Sequence, residues 1–393
     1  MKKVTSKLTA IAILAGGLFS NAFAQTSSIN VVTTAVPFLR ISPDARAGGM
    51  GDVGIATPAD ANAVYWNRAK LPFADQPGAI TLTYTPWLKD LGLNDVYLAS
   101  AAGYYKLDED QVLSGSLRYF SLGSIDFTDA LGNQLSSFRP KEFSFDAGYS
   151  RKLSPKSSLG IALRYINSNL ANGSFNGQTY KAGSTVSGDL QYFHNNTNEN
   201  GEGLAWGVSI TNLGGKISYT SDATQKDYIP ANLGLGVAYT KVYDPNNKIT
   251  FAMDVNKLLV PTPPAITGQD SIDNASLQKY HSQGVVGSWF SSFGDAPGGF
   301  KEELQEFQIS AGAEYWYQNQ FALRAGYFYE NPNKGNRQYF TLGTGLKYNT
   351  FSLLFSYLLP SGSGTTRNPL SNTLRFSMMF DLGGKGGDSK TTE

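Results

Sequence analysis

From about residue 79 to residue 382 the apolar and polar positions alternate with a period of two. In Phe321 to Glu330 one face carries Phe321, Leu323, Ala325, Tyr327 and Tyr329, and the other Ala322, Arg324, Gly326, Phe328 and Glu330. Ser158 to Asn167 sets Leu159, Ile161, Leu163 and Tyr165 against Ser158, Gly160, Ala162 and Arg164; Asn232 to Thr240 sets Leu233, Leu235, Val237 and Tyr239 against Asn232, Gly234, Gly236 and Ala238. Phe351, Leu353, Phe355, Tyr357 and Leu359 alternate with smaller residues such as Ser352 and Ser356. Such runs read as strands whose two faces meet different solvents.

About fourteen such segments can be traced, an even number, as closed outer-membrane barrels use. Lipid offers no hydrogen-bond partner, so a sheet crossing it must close on itself. The expected fold class is therefore all-β: a closed antiparallel transmembrane β-barrel over residues 79–382, its apolar face toward lipid. The connections support this by alternating in length. Asp108 to Asp110, Leu153 to Lys156, His194 to Glu202, Asp244 to Asn247, Gln318 to Asn319 and Asn349 to Thr350 read mostly as tight turns. Gly123 to Ser137, Gly214 to Tyr228, Leu259 to Glu302 and Ser361 to Leu370 read as longer loops. Short periplasmic turns and long outer loops put both termini on the periplasmic side. Tyr104-Tyr105, Tyr119-Phe120, Tyr315 to Tyr317, Tyr327 to Tyr329 and Tyr339-Phe340 fall near strand ends, as membrane-interface girdles require.

Composition agrees. Only 16% of the 393 residues are charged, against roughly 25% in ordinary soluble domains, while 42 are Gly and 50 aromatic. There is no Cys, which excludes disulfide scaffolds, thiolate metal sites, Cys nucleophiles and lipidated cysteine. The first 24 residues read as an export signal: Lys2, Lys3 and Lys7, then uncharged Leu8 to Phe19, then Ala22-Phe23-Ala24 before Gln25. Its removal leaves 369 residues with 29 basic against 31 acidic, so no electrostatic footprint for nucleic acid. Residues 383–393 read as a flexible periplasmic tail.

Residues 25–78 do not alternate and are dense in small residues, among them Ala45, Ala47, Gly48, Gly49, Gly51 and Gly54. They are expected to fill the lumen as a plug, since a barrel this wide leaks unless filled. Lumen-facing Arg118, Arg164, Arg324 and Arg375, with Asp146 and Asp254, are expected to pair with one another or with Arg40, Asp44, Arg46 and Asp52 of the plug, because buried charges need partners.

Candidate chemistry is sparse. Gly49-Met50-Gly51-Asp52-Val53-Gly54 matches G-x-G-x-x-G but lacks the strand and helix that a dinucleotide site needs. The two His residues, His194 and His281, fall on opposite sides of the membrane, so no metal site and no cofactor are expected. An acyl hydrolase would need a Ser with a His base, and His194-Asn195-Asn196-Thr197 reads as a solvated turn. No catalytic residue is assigned. In the longest loop Tyr280, Trp289, Phe290 and Phe293 form a cluster of aromatics suited to protein recognition.

The stretch Phe38 to Asp52, FLRISPDARAGGMGD, resembles the opening motif of the PorV family, outer-membrane barrels of the type IX secretion system of Bacteroidetes. Asp60 to Leu71, DANAVYWNRAKL, resembles the hatch motif of the wider FadL-like superfamily of hydrophobic-compound transporters, with Asn67 in place and Arg68 where that pattern has Pro. The first resemblance implies an outer-membrane accessory, not an enzyme, which binds the C-terminal signal domains of cargo leaving the large translocon barrel and delivers them to the surface sortase. Outer-membrane lipids would surround it. It names Arg40, Asp44, Arg46, Gly51, Asp52 and Asn67 as plug-motif residues. The association of the family with lipopolysaccharide deacylation finds no supporting constellation in the sequence. The superfamily resemblance implies the alternative, passage of hydrophobic small molecules.

Overall fold

In a computed structural model, which describes residues 30–383 apart from 129, 130, 132, 176, 177, 221–225, 265, 267 and 360–369, fourteen antiparallel strands close into one barrel. The export signal and residues 384–393 lie outside the described residues. In chain order the barrel strands are β1 (Gly78–Pro86), β2 (Val96–Lys106), β3 (Gln111–Leu122), β4 (Lys141–Ser154), β5 (Ser157–Asn169), β6 (Gly183–Thr197) and β7 (Gly203–Gly214). There follow β8 (Asn232–Asp244), β9 (Asn247–Leu258), β10 (Gln308–Tyr317), β11 (Phe321–Tyr329), β12 (Gln338–Tyr348), β13 (Phe351–Leu358) and β14 (Leu374–Leu382). Each pairs with its neighbours in sequence, and β1 closes on β14 from Gly78↔Leu382 to Tyr84↔Phe376.

The period of two sorts side chains as a membrane demands. On β11 Leu323 is 50% exposed to the outside while Ala322 and Arg324 are buried inside; on β5 Leu163 is 70% exposed beside buried Ala162 and Arg164. A soluble protein would hide these leucines. Here they form an outward apolar band, and the polar groups needing partners face the lumen.

Connections of two to five residues join the strands at one end, and connections of eight to forty-nine residues at the other. Two expectations are corrected. His194 lies in β6, not in a turn, because β6 extends to Thr197 and leaves only 198–202 as the connection. Each consecutive aromatic pair splits across the wall: Tyr105 and Phe340 point outward, whereas Tyr104, Phe120, Phe328 and Tyr339 are buried in the lumen and pack the barrel interior. Leu382 ends at the short-turn end, and Asn30, the first described residue, lies at the opposite, long-loop end, where its Nδ2 donates to the Pro263 carbonyl at 3.2 Å. The chain therefore enters the described region among the long loops, passes down the lumen, and joins β1 at the far end.

The long connections carry structure that alternation could not reveal. Residues 259–307 contain helices at Asp270–Ser282 and Val285–Ser291, with Asp270 and Asp273 in the first turn of the former and Lys279 and His281 in its last, complementing the helix dipole. Two small hairpins, Ile125–Thr128 with Gln134–Phe138 and Gly173–Phe175 with Gln178–Tyr180, stand on other long connections.

Candidate functional site: a locked hatch beneath an apolar loop

Residues 30–77 occupy the barrel interior as short turns rather than long helices: 3-10 turns at Pro37–Arg40 and Arg68–Phe73, and single α-turns at Ala45–Gly48 and Ala63–Trp66. Short turns leave backbone groups unpaired, and the barrel wall supplies the partners. Arg118 on β3 donates to the carbonyls of Leu39, Phe38 and Ile41 at 3.0, 2.6 and 2.7 Å. Asp254 on β9 accepts from the backbone N–H groups of Gly54 and Ile55 at 2.7 and 2.9 Å. Gln191 on β6 accepts from the Arg68 N–H at 2.8 Å.

The plug-motif residues divide by role. Arg46 donates twice to Glu314 on β10, at 2.9 and 2.7 Å, and once to Asp60 at 2.8 Å, while Arg324 holds the same Glu314 at 2.7 Å. Asp44 turns inward within the hatch, accepting from Ala47 N–H and Trp66 Nε1 at 2.8 Å each, and makes no direct ion pair with a lumen arginine among the described residues. Asp52 accepts from Tyr339 OH at 2.7 Å and lies 3.5 Å from Arg375. Asn67 caps the Arg68–Phe73 turn through Ala69 N–H and donates to the Tyr192 carbonyl at 3.0 Å. Gly51, at φ +71°, has its Cα against the β11 backbone, where a Cβ would meet Tyr327 N at 2.5 Å; glycine alone permits that approach. Arg40 makes no hydrogen bond or ion pair among the described residues.

The strongest lock is a residue set apart by sequence only as a departure from a pattern. Arg68 is fully buried and ion-paired to Asp146 on β4; Asp146 also meets Arg164 on β5 at 3.3 Å, which in turn holds Asp189 on β6 at 2.8 Å. Glu314 was legible too, as the single acid on the small-residue face of β10.

At the long-loop end the 259–307 connection is fastened by ion pairs: Lys257 to Glu303 at 3.2 Å and to Glu306, and Lys334 to Glu302 and Glu306. Burial pushes the Glu302 carboxyl up, but hydrogen bonds from Lys334 and Gly298 N–H outweigh it and hold the group below the ordinary glutamate range. Of the four aromatics singled out from sequence, Phe290 and Phe293 are exposed, Trp289 is half-buried, and Tyr280 packs edge-on against Tyr228 with ring centroids 5.5 Å apart. Phe300, Val286 and Leu304 join the exposed set, with Phe290 and Phe300 the most exposed at 76% and 77%. Several exposed apolar side chains on one loop suit a contact surface.

One pairing runs against the sequence reading. Ser157 Oγ lies 2.9 Å from His194 Nδ1, and Tyr192 OH donates to the same oxygen at 2.9 Å. The His194 ring also stacks on Trp206. Among the described residues no carboxylate hydrogen-bonds the ring, so the group that would orient a catalytic base is missing. His281 lies at the long-loop end, in the Asp270–Ser282 helix.

The family model of the type IX secretion system protein PorV matches residues 24–265. Among solved structures the chain is similar to the Ralstonia pickettii toluene transporter TbuX, at 10% identity over 86% of this chain and 97% of that one, with a TM-score of 0.50. It is also similar to the CymD monoaromatic hydrocarbon channel, at 11% identity over 87% and 98%, again with a TM-score of 0.50. A FadL homologue of Pseudomonas aeruginosa aligns at 11% identity over 90% and 99%, with a TM-score of 0.47. At these identities the likeness is one of fold. Among curated proteins none matches the chain.

Proposed function

Since the chain belongs to the family of the type IX secretion system protein PorV, an outer-membrane barrel family, we propose that it serves secretion as a cargo-receiving accessory. In this reading it binds the C-terminal signal domain of cargo emerging from the translocon barrel and hands it to the surface sortase, making and breaking no bond itself. The observation that carries the reading is the pairing of a locked lumen with an exposed apolar loop. Inside the lumen the Arg46–Glu314 and Arg68–Asp146 bridges tie the hatch to the wall, whereas Phe290, Phe293 and Phe300 offer rigid apolar area at the long-loop end. Large side chains of that kind bury much area at little entropic cost. The outward leucines of the wall would meet lipid and the translocon.

The test is deletion of Trp289 to Phe293 in the full chain in its native host. The barrel should still assemble and resist heat-induced mobility change, while surface attachment of cargo falls sharply. Normal surface attachment with an assembled barrel would reject the assignment.

A second reading, passage of hydrophobic small molecules, draws on the likeness in fold to a toluene transporter and a monoaromatic hydrocarbon channel and on a cavity of about 700 Å³ at the short-turn end, bordered by Phe73, Phe193, Trp316 and Leu354 among charged residues. It requires the hatch to open, and uptake of an aromatic hydrocarbon into proteoliposomes would distinguish it from the first.

A further inference from the structure

The outer wall at the short-turn end carries a chain of hydrogen-bonded side chains. Tyr192 OH donates to Ser157 Oγ at 2.9 Å, and Ser157 Oγ lies 2.9 Å from Nδ1 of His194. All three face outward, since their strand neighbours Ser158, Gln191 and Phe193 are the buried, luminal ones. With the Ser157 hydroxyl accepting from Tyr192 and giving its proton to Nδ1, the neutral ring carries its own proton on Nε2. That N–H finds no acceptor among the described residues. Trp206, its ring stacked 5.6 Å from His194, holds the imidazole in place. One outward position further along β6, Asn196 Oδ1 accepts from the exposed Lys156 at 2.6 Å, an uncharged partner for an ammonium. The other cations at this level have acids beside them: Lys241 has Glu202 at 2.8 Å, Lys152 has Asp110 at 3.7 Å, and Arg151 lies near Asp108. Glu199, the remaining acid of the β6–β7 turn, borders the luminal cavity. The uncompensated charge on the outer face is therefore that of Lys156.

The depth of this group follows from the strand. The outward positions of β6 run Ser184, Val186, Gly188, Leu190, Tyr192 and His194. From Ser184 to His194, ten residues at roughly 3.3 Å each and tilted by about 40° rise roughly 25 Å, the height of a barrel's apolar band. His194 and Lys156 thus stand at headgroup level in the leaflet on the short-turn side. Above them the wall is apolar, with Leu159, Ile161 and Leu190 exposed, and it is indented at Gly188, where a Cβ would meet nothing nearer than the Ala162 carbonyl at 3.5 Å. Gly188 lies six residues from His194, so by the same arithmetic the dip begins roughly 15 Å above the polar group, half the hydrocarbon thickness and the span of one leaflet. A donor pair of net positive charge beneath an indented apolar wall matches an anionic headgroup on acyl chains, and at this depth that anion is a lipid phosphate. We propose that this face is a binding site for a glycerophospholipid, its phosphate held by His194 Nε2–H and the Lys156 ammonium, with one acyl chain lying along Leu190 to Gly188. The inference is independent of the secretion reading.

The test is native mass spectrometry of the purified full chain in a non-ionic detergent, with dioleoyl phosphatidylglycerol and, as the same chains without phosphate, dioleoylglycerol at equal concentration. The parent protein should retain the phospholipid at least fivefold more than the diacylglycerol. His194→Phe with Lys156→Gln keeps a ring against Trp206 and removes both phosphate contacts; it should lose at least fivefold of the bound phospholipid while the barrel keeps its heat-resistant migration. Should that pair fail to assemble, Lys156→Gln alone, at an exposed turn, should lose at least twofold. Gly188→Leu, which fills the dip, should lower retention of both lipids. Equal retention of the two lipids by the parent protein, or unchanged retention in the Lys156 and His194 variants, would overturn the proposal. Unchanged retention together with failed cargo secretion would also overturn it and make this wall a protein contact.

Discussion

Arg68 in the hatch has no exposed surface and an acid waiting for it in the wall, whereas Phe290 in the 259–307 loop keeps most of its surface open to solvent. Inside the barrel, polar side chains join apolar packing of Phe38, Leu39, Val64 and Leu71 in holding the hatch, since it is made of short turns whose N–H and C=O groups need partners. In the loop, Val260, Tyr280 and Val285 pack with Tyr228 and Leu258, and Lys257, Lys334 and their glutamates add ion pairs. The exposed rings take no part in that fastening, and substitutions should separate the bridges from the rings.

The largest effect is expected at Arg68. Arg68→Ala leaves Asp146 Oδ1 buried without its donor, and breaking a buried pair from one side costs about 3–5 kcal/mol. Heat-dependent loss of barrel migration should shift to much lower temperature, and Asp146→Ala in the same chain should recover part of the loss. If Arg68→Ala melts like the parent protein, the hatch is not held by this network.

Arg46→Ala should cost less, about 1–3 kcal/mol. Glu314 keeps Arg324 at 2.7 Å, and Arg46 retains a little exposure that Arg68 lacks. The ranking of the two variants matters more than either value: equal shifts would mean that the hatch responds as one unit, whichever contact is removed.

How far these residues were legible differs between the regions. Lipid imposes alternation directly on sequence, so the strands and their count could be read from repeated runs like Leu159, Ile161 and Leu163, and the arginines on the opposite face could be assigned to the lumen. Which acid each meets could not. That depends on where the hatch turns sit against the wall, and Arg46 reaches Glu314 across 268 residues of chain. Arg68 stood out only as an absent proline. The end at which Asn30 lies was likewise invisible, because a plug leaves no periodicity to orient it. In the loop the aromatics Phe290 and Phe293 were legible by type, but Tyr280 was not separable from them until its ring was seen against Tyr228.

A smaller, local effect should follow from pH. The Glu302 carboxyl lies below its ordinary value of 4.5 in the folded loop, so its contribution is fully present above the unfolded value and is lost as pH falls through the folded one. Between neutral pH and pH values well below 4.5, limited proteolysis within 259–307 should accelerate while the barrel stays intact. A cleavage rate independent of pH down to that range would remove Glu302–Lys334 as a fastener of the loop.

The smallest effect on stability, and the sharpest division between the two regions, is expected at Phe290 and Phe300. Both rings are more than three-quarters exposed, so Phe290→Ser with Phe300→Ser removes almost no buried area, and the change in stability should stay within about 0.5 kcal/mol, as for ordinary surface positions. The same pair supplies much of the apolar area available to a partner, and hot-spot aromatics cost about 2 kcal/mol or more each when truncated in an interface. The double variant should therefore melt with the parent protein and fail to retain cargo on the cell surface, whereas Arg46→Ala should melt early and, below its transition, retain cargo. A Phe290 and Phe300 variant that secretes and attaches cargo normally would show that the exposed rings are not the contact, even with the hatch holding as described.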